Sequence, residues 1–326
     1  MWAGVKRIIR RSDNFVIATH VYPDGDAIGS ALALAQILRD LGKKVLVVNQ
    51  HPVPQMYKFL DPNNKVRVWN GALARRVKKS DVIFVVDVSS FDRLGEVGSA
   101  VKESRAKTIC IDHHKTNDRF AEINIIEDRS ASTGELIYSL GKSLQVTISR
   151  RIANALFTAI ATDTGWFRFS NTSALVLERA SELAAMGAKA DRLYESIYEN
   201  MAWPRMALLE RILSTLHAEC DGKIACMHAT KQMFAETGAS SEDTEGFIDF
   251  PRSLRDVQII IFLREIDGKV KVSMRSKSGG PAVDKIAKAL GGGGHRRAAG
   301  ILLRCPLDEA EKAVVKAASS LFPDCH

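Results

Sequence analysis

Residues 15–42 read FVIATHVYPDGDAIGSALALAQILRDLG. The run FVIATH (15–20) has the character of a core strand, and AIGSALALAQILRDLG that of a helix stopping at Gly42. A strand feeding a helix through a tight turn is half of a β-α-β unit. The same alternation continues through KVLVVN (44–49), VIFVVDVSS (82–90) and AKTICIDHH (106–114), with INIIED (123–128) a further strand candidate. Continuous apolar strands interleaved with helices predict a parallel sheet covered on both faces. STGELIYSLG (132–141) opens with Ser132 and Glu135 in capping-box spacing, and RRIANALFTAIAT (150–162) has the apolar spacing of an amphipathic helix. Residues 172–216 read as almost entirely helical.

After ECDGK (219–223) the pattern changes. IACMHAT, DVQIIIFLREIDGKVKVSMRSK and GILLRC read as strands, with IDGK turning a hairpin, and AVDKIAKALGGGGHRR as a helix running into four glycines. The expected organisation is a catalytic α/β domain over 1–195, a helical connector over 196–218 and a smaller α+β domain over 219–326.

Composition narrows the class. Hydrophobic residues make up 46% and charged residues 26% of the 326, as in ordinary globular proteins. No apolar run approaches the roughly 20 residues of a membrane span. MWAGVKRIIRRSDNF lacks a signal-peptide apolar region and reads as a short amphipathic helix. Five scattered cysteines without C-x-x-C argue against a disulfide framework and a thiolate zinc site, and suit a cytoplasmic protein. The formal charge of +8 is a modest bias towards an anionic partner.

In a parallel sheet, strand ends share one edge, where ligands collect. His20 closes the first strand, with Asp24 and Asp26 on the turn after it. Asp87 closes VIFVVD; Asp112, His113 and His114 close TICIDHH; Asp163 follows the helix at 150–162. Taken singly, each has a bland reading: Asp26 as N-cap of the next helix, Asp87 as a solvated strand end, the histidines as surface groups. Asp163 fits its bland reading badly, since a carboxylate at a helix C-terminus faces the negative end of the dipole. Together they form an oxygen-and-imidazole donor set, which suits Mn²⁺ or Mg²⁺ better than structural Zn²⁺. Several carboxylates point to two divalent ions, the usual device for phosphate-ester hydrolysis.

HVYPDGDAIGS, VVDVSS, IDHH and ATDTGWFRF resemble, in order, the four motifs of the DHH phosphoesterase superfamily. KVSMRSK and GGGGHRRAAG resemble its DHH-associated substrate-binding domain, and the layout is similar to NrnA-type proteins, which degrade oligoribonucleotides and remove the 3′-phosphate of pAp. The resemblance implies that His20 and Asp24 hold one metal, that Asp26, His113 and Asp163 hold the other, and that Asp87 bridges them. Pro23 and Gly25 would let the two turn aspartates point separately. His114 would face the substrate phosphate, with Asp112 orienting a histidine from behind. A hydroxide bridging two ions, Mn²⁺ first and Mg²⁺ or Co²⁺ as alternatives, would attack phosphorus.

In the second domain, Arg264, Arg275, Lys277, Gly293, Gly294, His295 and Arg296 are the expected substrate-binding residues. With 7% aromatic residues the chain shows no extended stacking platform, so short RNAs and nucleotide phosphates are the expected partners, without a membrane. Trp166 and Phe169 are stacking candidates with core packing as their alternative. A homodimer is left open. The competing readings are a phosphodiesterase for pApA or cyclic di-AMP, and a non-catalytic nucleotide-binding regulator.

Overall fold

The computed structural model describes residues 1–323 and residue 325. The chain divides into two compact units, Met1–Asn200 and Met201–His326.

The first unit runs α1 (Ala3–Arg11), β1 (Asn14–Ala18), α2 (Gly25–Asp40), β2 (Lys44–Asn49), β3 (Val66–Val68), α3 (Ala74–Lys78), β4 (Val82–Val86), α4 (Glu96–Lys102), β5 (Lys107–Asp112), β6 (Ile123–Ile126), α5 (Thr133–Ser143), α6 (Arg150–Asp163), α7 (Ala174–Ala185) and α8 (Ala190–Tyr198). Its six strands pair in parallel in the order β3-β2-β1-β4-β5-β6. Alternate residues face opposite layers, as the strand period requires. Phe15, Ile17, Phe84 and Ile109 pack beneath α2, α5 and α6, while Val16, Ala18, Ile83 and Val85 pack against Val77, Val97 and Val101. The strand order reverses between β1 and β4, which opens a crevice at their carboxyl ends.

Helices α2 and α6 approach closely because α2 presents glycines. A Cβ on Gly25 would lie 2.5 Å from Thr162 Oγ1, and one on Gly29 only 2.4 Å from the Ala155 carbonyl oxygen. This contact sets the C-terminus of α6, where Asp163 ends the helix, beside the N-terminus of α2. Gly25 therefore serves helix contact. It is the first residue of α2 with no positive φ, which corrects the turn role expected for it.

The second unit contains α9 (Trp203–Leu213), β7 (His217–Glu219), β8 (Ile224–Ala229), α10 (Lys231–Thr237), β9 (Ile259–Ile266), β10 (Lys269–Ser276), α11 (Val283–Ala289), β11 (Gly293–His295), β12 (Ala298–Leu303) and α12 (Leu307–Ser319). Its sheet order is β11-β12-β10-β9-β8-β7, mixed because β8 and β9 run parallel while the other pairs are antiparallel. Leu208, Leu209 and Ile212 of α9 belong to this unit's core, with Met227 and Ile260. The β9–β10 hairpin turns at Asp267 and Gly268, both at positive φ, as its IDGK sequence predicts.

Cys220 and Cys325 are disulfide-bonded across 105 residues. The expectation of no disulfide framework holds for Cys110, Cys226 and Cys305, which are free, and fails for this pair. Sequence spacing carries no sign of the link, because the return of α12 along the sheet is a tertiary event.

Candidate metal centre

The crevice at the carboxyl edge of the first sheet collects the donors expected from the strand ends. His20 follows β1 and is buried, as are Asp26 and Asp87; Asp112 is fully buried at the end of β5. Asp87 has a φ of 60°, a left-handed conformation that aspartate tolerates better than most residues, and its N–H still donates to the Ile111 carbonyl at 3.0 Å.

The Asp87 carboxylate presents one oxygen to each of two groups. Its Oδ2 lies 3.6 Å from His20 Nε2, and its Oδ1 lies 3.7 Å from His113 Nε2. On the first side, Asp24 Oδ2 is 3.8 Å from His20 Nε2. On the second, His113 Nε2 is 3.8 Å from Asp26 Oδ2 and 3.4 Å from Asp163 Oδ2. These separations exceed hydrogen-bond length and are a few tenths of an ångström wider than the roughly 3–3.5 Å between neighbouring ligands around a shared cation with bonds of 2.0–2.2 Å, so a small inward shift would close them on an ion. Donor atoms of His20, Asp24 and Asp87 lie within 4.8 Å of one another, as do those of Asp26, His113 and Asp163, and those of Asp87, His113 and His114.

Hydrogen bonds orient the rings. His20 Nδ1 lies 2.7 Å from the Val21 carbonyl, so it carries the proton and Nε2 faces the aspartates. His113 Nδ1 lies 3.3 Å from the Ser130 carbonyl. His114 donates through Nδ1 to Asp112 Oδ1 at 2.7 Å, while Asn117 Nδ2 donates to Asp112 Oδ2 at 2.7 Å. His114 Nδ1 also lies 3.7 Å from Asp87 Oδ1. Asp112 thus holds a histidine from behind, as expected of it.

The helix-cap assignment is corrected. Asp24, and not Asp26, is the N-cap of α2, accepting the Ala27 N–H at 3.0 Å. Asp26 crosses instead to the N-terminus of α5. Its carboxylate accepts the N–H of Thr133 at 2.6 Å and of Gly134 at 2.9 Å, together with the Ser30 hydroxyl at 2.9 Å. The Thr133 hydroxyl donates to Asp87 Oδ1 at 3.1 Å. Sequence reasoning missed Thr133, Gly134, Ser30 and Asn117 as site residues. The signal for the first two was the STGE helix start, where orphan N–H groups favour an anion. Of that capping box, Ser132 accepts the Glu135 N–H at 3.4 Å, whereas the Glu135 carboxylate reaches past it to the Ala131 N–H at 2.6 Å.

The site is short of positive charge. Burial, followed by repulsion from Asp87 and Asp163, raises the pKa of Asp26 well above the carboxylate range. Burial also raises Asp163 to about 7, with Asp24 and Asp87 adding to it against the attraction of His113. For His20, burial works downward, but Asp24 and Asp87 outweigh it and lift the pKa to about 10. Protons stand in where cations fit.

Residues 14–160 match the family model described as DHH family, N-terminal domain, and residues 222–322 match the DHHA1 domain. The chain is 34% identical over 308 residues to the bifunctional oligoribonuclease and PAP phosphatase NrnA of Thermus thermophilus, covering 92% of this chain and 88% of that one. The chain belongs to the DHH family. The Bacillus subtilis protein of the same name is 26% identical, with 94% of each chain covered. A crystal structure of an exopolyphosphatase-related protein from Bacteroides fragilis superposes with a TM-score of 0.94 at 29% identity, covering 98% of this chain and 96% of that one. The DHH name describes Asp112, His113 and His114 as they stand here. Oxygen and imidazole donors without thiolate, a carboxylate facing two groups, and carboxyl pKa values raised by burial and then by like charge all fit two hard or borderline divalent cations.

In the DHHA1 unit, the expected binding residues have defined partners. Arg264 donates to the Ser241 carbonyl at 2.7 Å and to Thr244 Oγ1 at 2.6 Å, bracing the 241–244 turn. Arg275 donates to the Met274 carbonyl at 3.2 Å, and Lys277 to the Leu254 carbonyl. Gly293, Gly294 and His295 form edge strand β11, and Arg296 is exposed at the following turn. Gly294 is required by the strand: its φ is 143° and a Cβ would sit 2.5 Å from the Ala298 carbonyl oxygen. Gly293 has nothing within 4 Å of a Cβ, so its backbone stays approachable. Of the two aromatic candidates near Asp163, Trp166 packs among Phe157, Phe167, Tyr194 and Tyr198, and Phe169 lies beneath Gly165. Among the described residues no helix is long and apolar enough to cross a membrane.

Proposed function

We propose that this DHH-family chain is a dimetal phosphoesterase that hydrolyses short oligoribonucleotides to mononucleotides and removes the 3′-phosphate of pAp. The observation that carries the reading is Asp87, whose two oxygens lie 3.6 Å from His20 Nε2 and 3.7 Å from His113 Nε2. In this reading His20 and Asp24 hold one cation, Asp26, His113 and Asp163 hold the second, and Asp87 serves both. Mn²⁺ is the ion we assign, since borderline imidazole and hard carboxylate suit it. Two such ions supply Lewis acidity towards the phosphoryl group and a water nucleophile at neutral pH.

The chain's own groups do the rest. Asp112 fixes the His114 ring through Nδ1. Burial works against the His114 imidazolium, but Asp112, with the Asp87 and Asp163 charges behind it, raises its pKa and so favours the protonated ring, which would stabilise charge on a phosphoryl oxygen. Thr133 and the α5 N-terminus keep Asp87 and Asp26 aimed. In the DHHA1 unit, Arg264, Arg275, Lys277, Gly293, Gly294, His295 and Arg296 are proposed to bind substrate, with the Gly293 backbone and the exposed Arg296 side chain open to it. The cytoplasm is the compartment we assign to it, as the place where RNA fragments and nucleotides of this kind would be met.

The test is hydrolysis of a 5′-labelled RNA dinucleotide and of pAp with Mn²⁺, by the full chain and by Asp87→Asn. Release of mononucleotide and of phosphate, both lost in the variant, supports the assignment. Turnover of cyclic di-AMP, pyrophosphate or a 30-mer in place of these would keep the metal centre and replace the substrate. No turnover of any, with nucleotide still bound, would leave a binding protein.

A further inference from the structure

Tyr22 lies two residues from His20 and two from Asp24, and it is 75% exposed. Its φ is 52°, in the left-handed region where a bulky aromatic residue is an outlier. The ring does not lie loose. It stacks on the imidazole of His51, with centroids 4.0 Å apart and planes inclined by 13°, and the Tyr22 N–H donates to His51 Nδ1 at 3.3 Å.

Three loops fix this pair at the carboxyl edge of the sheet. The loop after β1 is tied to the loop after β4 by the Val21 N–H, which donates to the Arg93 carbonyl at 2.7 Å. The loop after β2 is tied to the same segment by Gln50 Oε1, which accepts the Glu96 N–H at 3.0 Å. A Cβ on Gly95, whose φ is 59°, would meet Val21 at 3.0 Å and Gln50 at 3.1 Å, so the loops close on a glycine. A strained backbone that is held rigidly in order to expose an aromatic ring beside a metal centre points to a ligand for the ring.

We propose that Tyr22, backed by His51, is the stacking platform for the nucleobase of the nucleotide whose phosphate occupies the metal centre. The proposal rests on the nucleotide-phosphoesterase reading above and specifies how that site tells nucleotides from other phosphates. Two residues span at most about 7 Å of chain, which keeps the Tyr22 backbone close to the His20 side of the centre and brings its ring within reach of a nucleotide bound there. Every base offers a π-face, so such a platform selects nucleotides over phosphates without a base while leaving base identity unread. It also supplies the stacking surface that Trp166, engaged with its own aromatic neighbours, does not.

The experiment is isothermal titration of the full chain with AMP and with ribose 5-phosphate, its counterpart without adenine, in the wild type and in Tyr22→Asn, Tyr22→Phe and His51→Ala. Asparagine tolerates the left-handed conformation and so removes the ring while keeping the loop. The expected result is a wild-type preference for AMP of roughly ten-fold or more, as stacking on one aromatic supplies. Tyr22→Phe keeps that preference, His51→Ala weakens it, and Tyr22→Asn loses it with ribose 5-phosphate affinity unchanged. An AMP preference that survives in Tyr22→Asn, or equal losses for both ligands, would overturn the platform. Because binding is the readout, this result stands apart from the hydrolysis assay that tests the substrate assignment.

Discussion

The carboxylate of Asp26 accepts the backbone N–H of Thr133 at 2.6 Å, although 107 residues separate the two. One helix N-terminus thereby steadies a carboxylate that its crowded neighbours would otherwise displace, and opposes the rise in its pKa without cancelling it. The Thr133 hydroxyl extends the same support to Asp87 at 3.1 Å. Thr133→Val removes the hydroxyl and leaves the backbone donor, so only the Asp87 contact is lost. Partners of metal-ligating groups are typically worth 10–100-fold in metal affinity. We expect Thr133→Val to need roughly ten-fold more Mn²⁺ for half-maximal activity, with the fold unchanged by circular dichroism. An unchanged Mn²⁺ requirement would show that Asp87 needs no such support.

The contact between α2 and α6 is the second point of leverage. Gly29 faces the Ala155 carbonyl oxygen, a backbone atom that cannot step aside, at 2.4 Å from a would-be Cβ. Gly29→Ala should destabilise the protein by about 1–3 kcal/mol through overpacking. It should also weaken metal binding, because the same contact brings Asp163 to Asp24 and Asp26. Gly4→Ala is the control: nothing lies within 4 Å of its Cβ, and in a helix alanine should stabilise by up to about 1 kcal/mol. Urea denaturation of the three proteins compares them directly.

Metal-free protein should lose stability as pH rises, because Asp26, His114, Asp163 and His20 all have raised pKa values, and the last two mark out the window. Asp163 has its pKa raised from 3.8 to about 7, so the folded state holds that proton more tightly and stability declines from pH 4 to 7. His20 has its pKa raised from 6.5 to about 10, so its contribution is full below 6.5 and disappears as pH rises through about 10. Mn²⁺ must displace these protons, so its affinity should rise over the same range. Thermal melts in EDTA at pH 5, 7 and 9, with Asp163→Asn removing the lower component, test the sign. A melting temperature that climbs with pH in EDTA would contradict it.

The fold was legible because the inner strands β2, β1, β4 and β5 are largely buried on both faces and so read as apolar runs, whereas edge strand β3, with Arg67 and Val68 exposed, carried no such signal. The donors were legible because those runs end abruptly in His20, Asp87 and Asp112–His114, and a parallel sheet sends such ends to one edge. What local sequence could not carry was the meeting of distant segments. Nothing around Asp26 distinguishes a cap on its own helix from a cap on α5, 107 residues away. The glycine run read as the end of a helix and a substrate-binding segment, and its strand character stayed hidden because the pairing of Gly294 with Ala299 belongs to β12. Cys220 and Cys325 are likewise joined only by the return of α12. Tyr22 sat inside the quoted motif, but its stacking partner His51 lies beyond the next strand.

Asp112 offers a way to separate proton donation from metal binding. It touches His114 Nδ1 and Asn117 Nδ2, each at 2.7 Å, and it belongs to none of the three groups of converging donors. Asp112→Asn takes away the charge that raises the His114 pKa and weakens the preference for a proton on Nδ1. The variant should lose about 10–100-fold in kcat, the usual range for a partner of this kind, while its Mn²⁺ requirement stays near that of the wild type. The pH profile supplies the independent sign. If protonated His114 is required, activity falls on the alkaline side as that proton is lost, and a lower pKa moves this limb to lower pH in the variant. A drop in kcat with an unmoved alkaline limb would assign Asp112 to ring orientation alone. A large increase in the Mn²⁺ requirement would instead mean that His114 serves the metals.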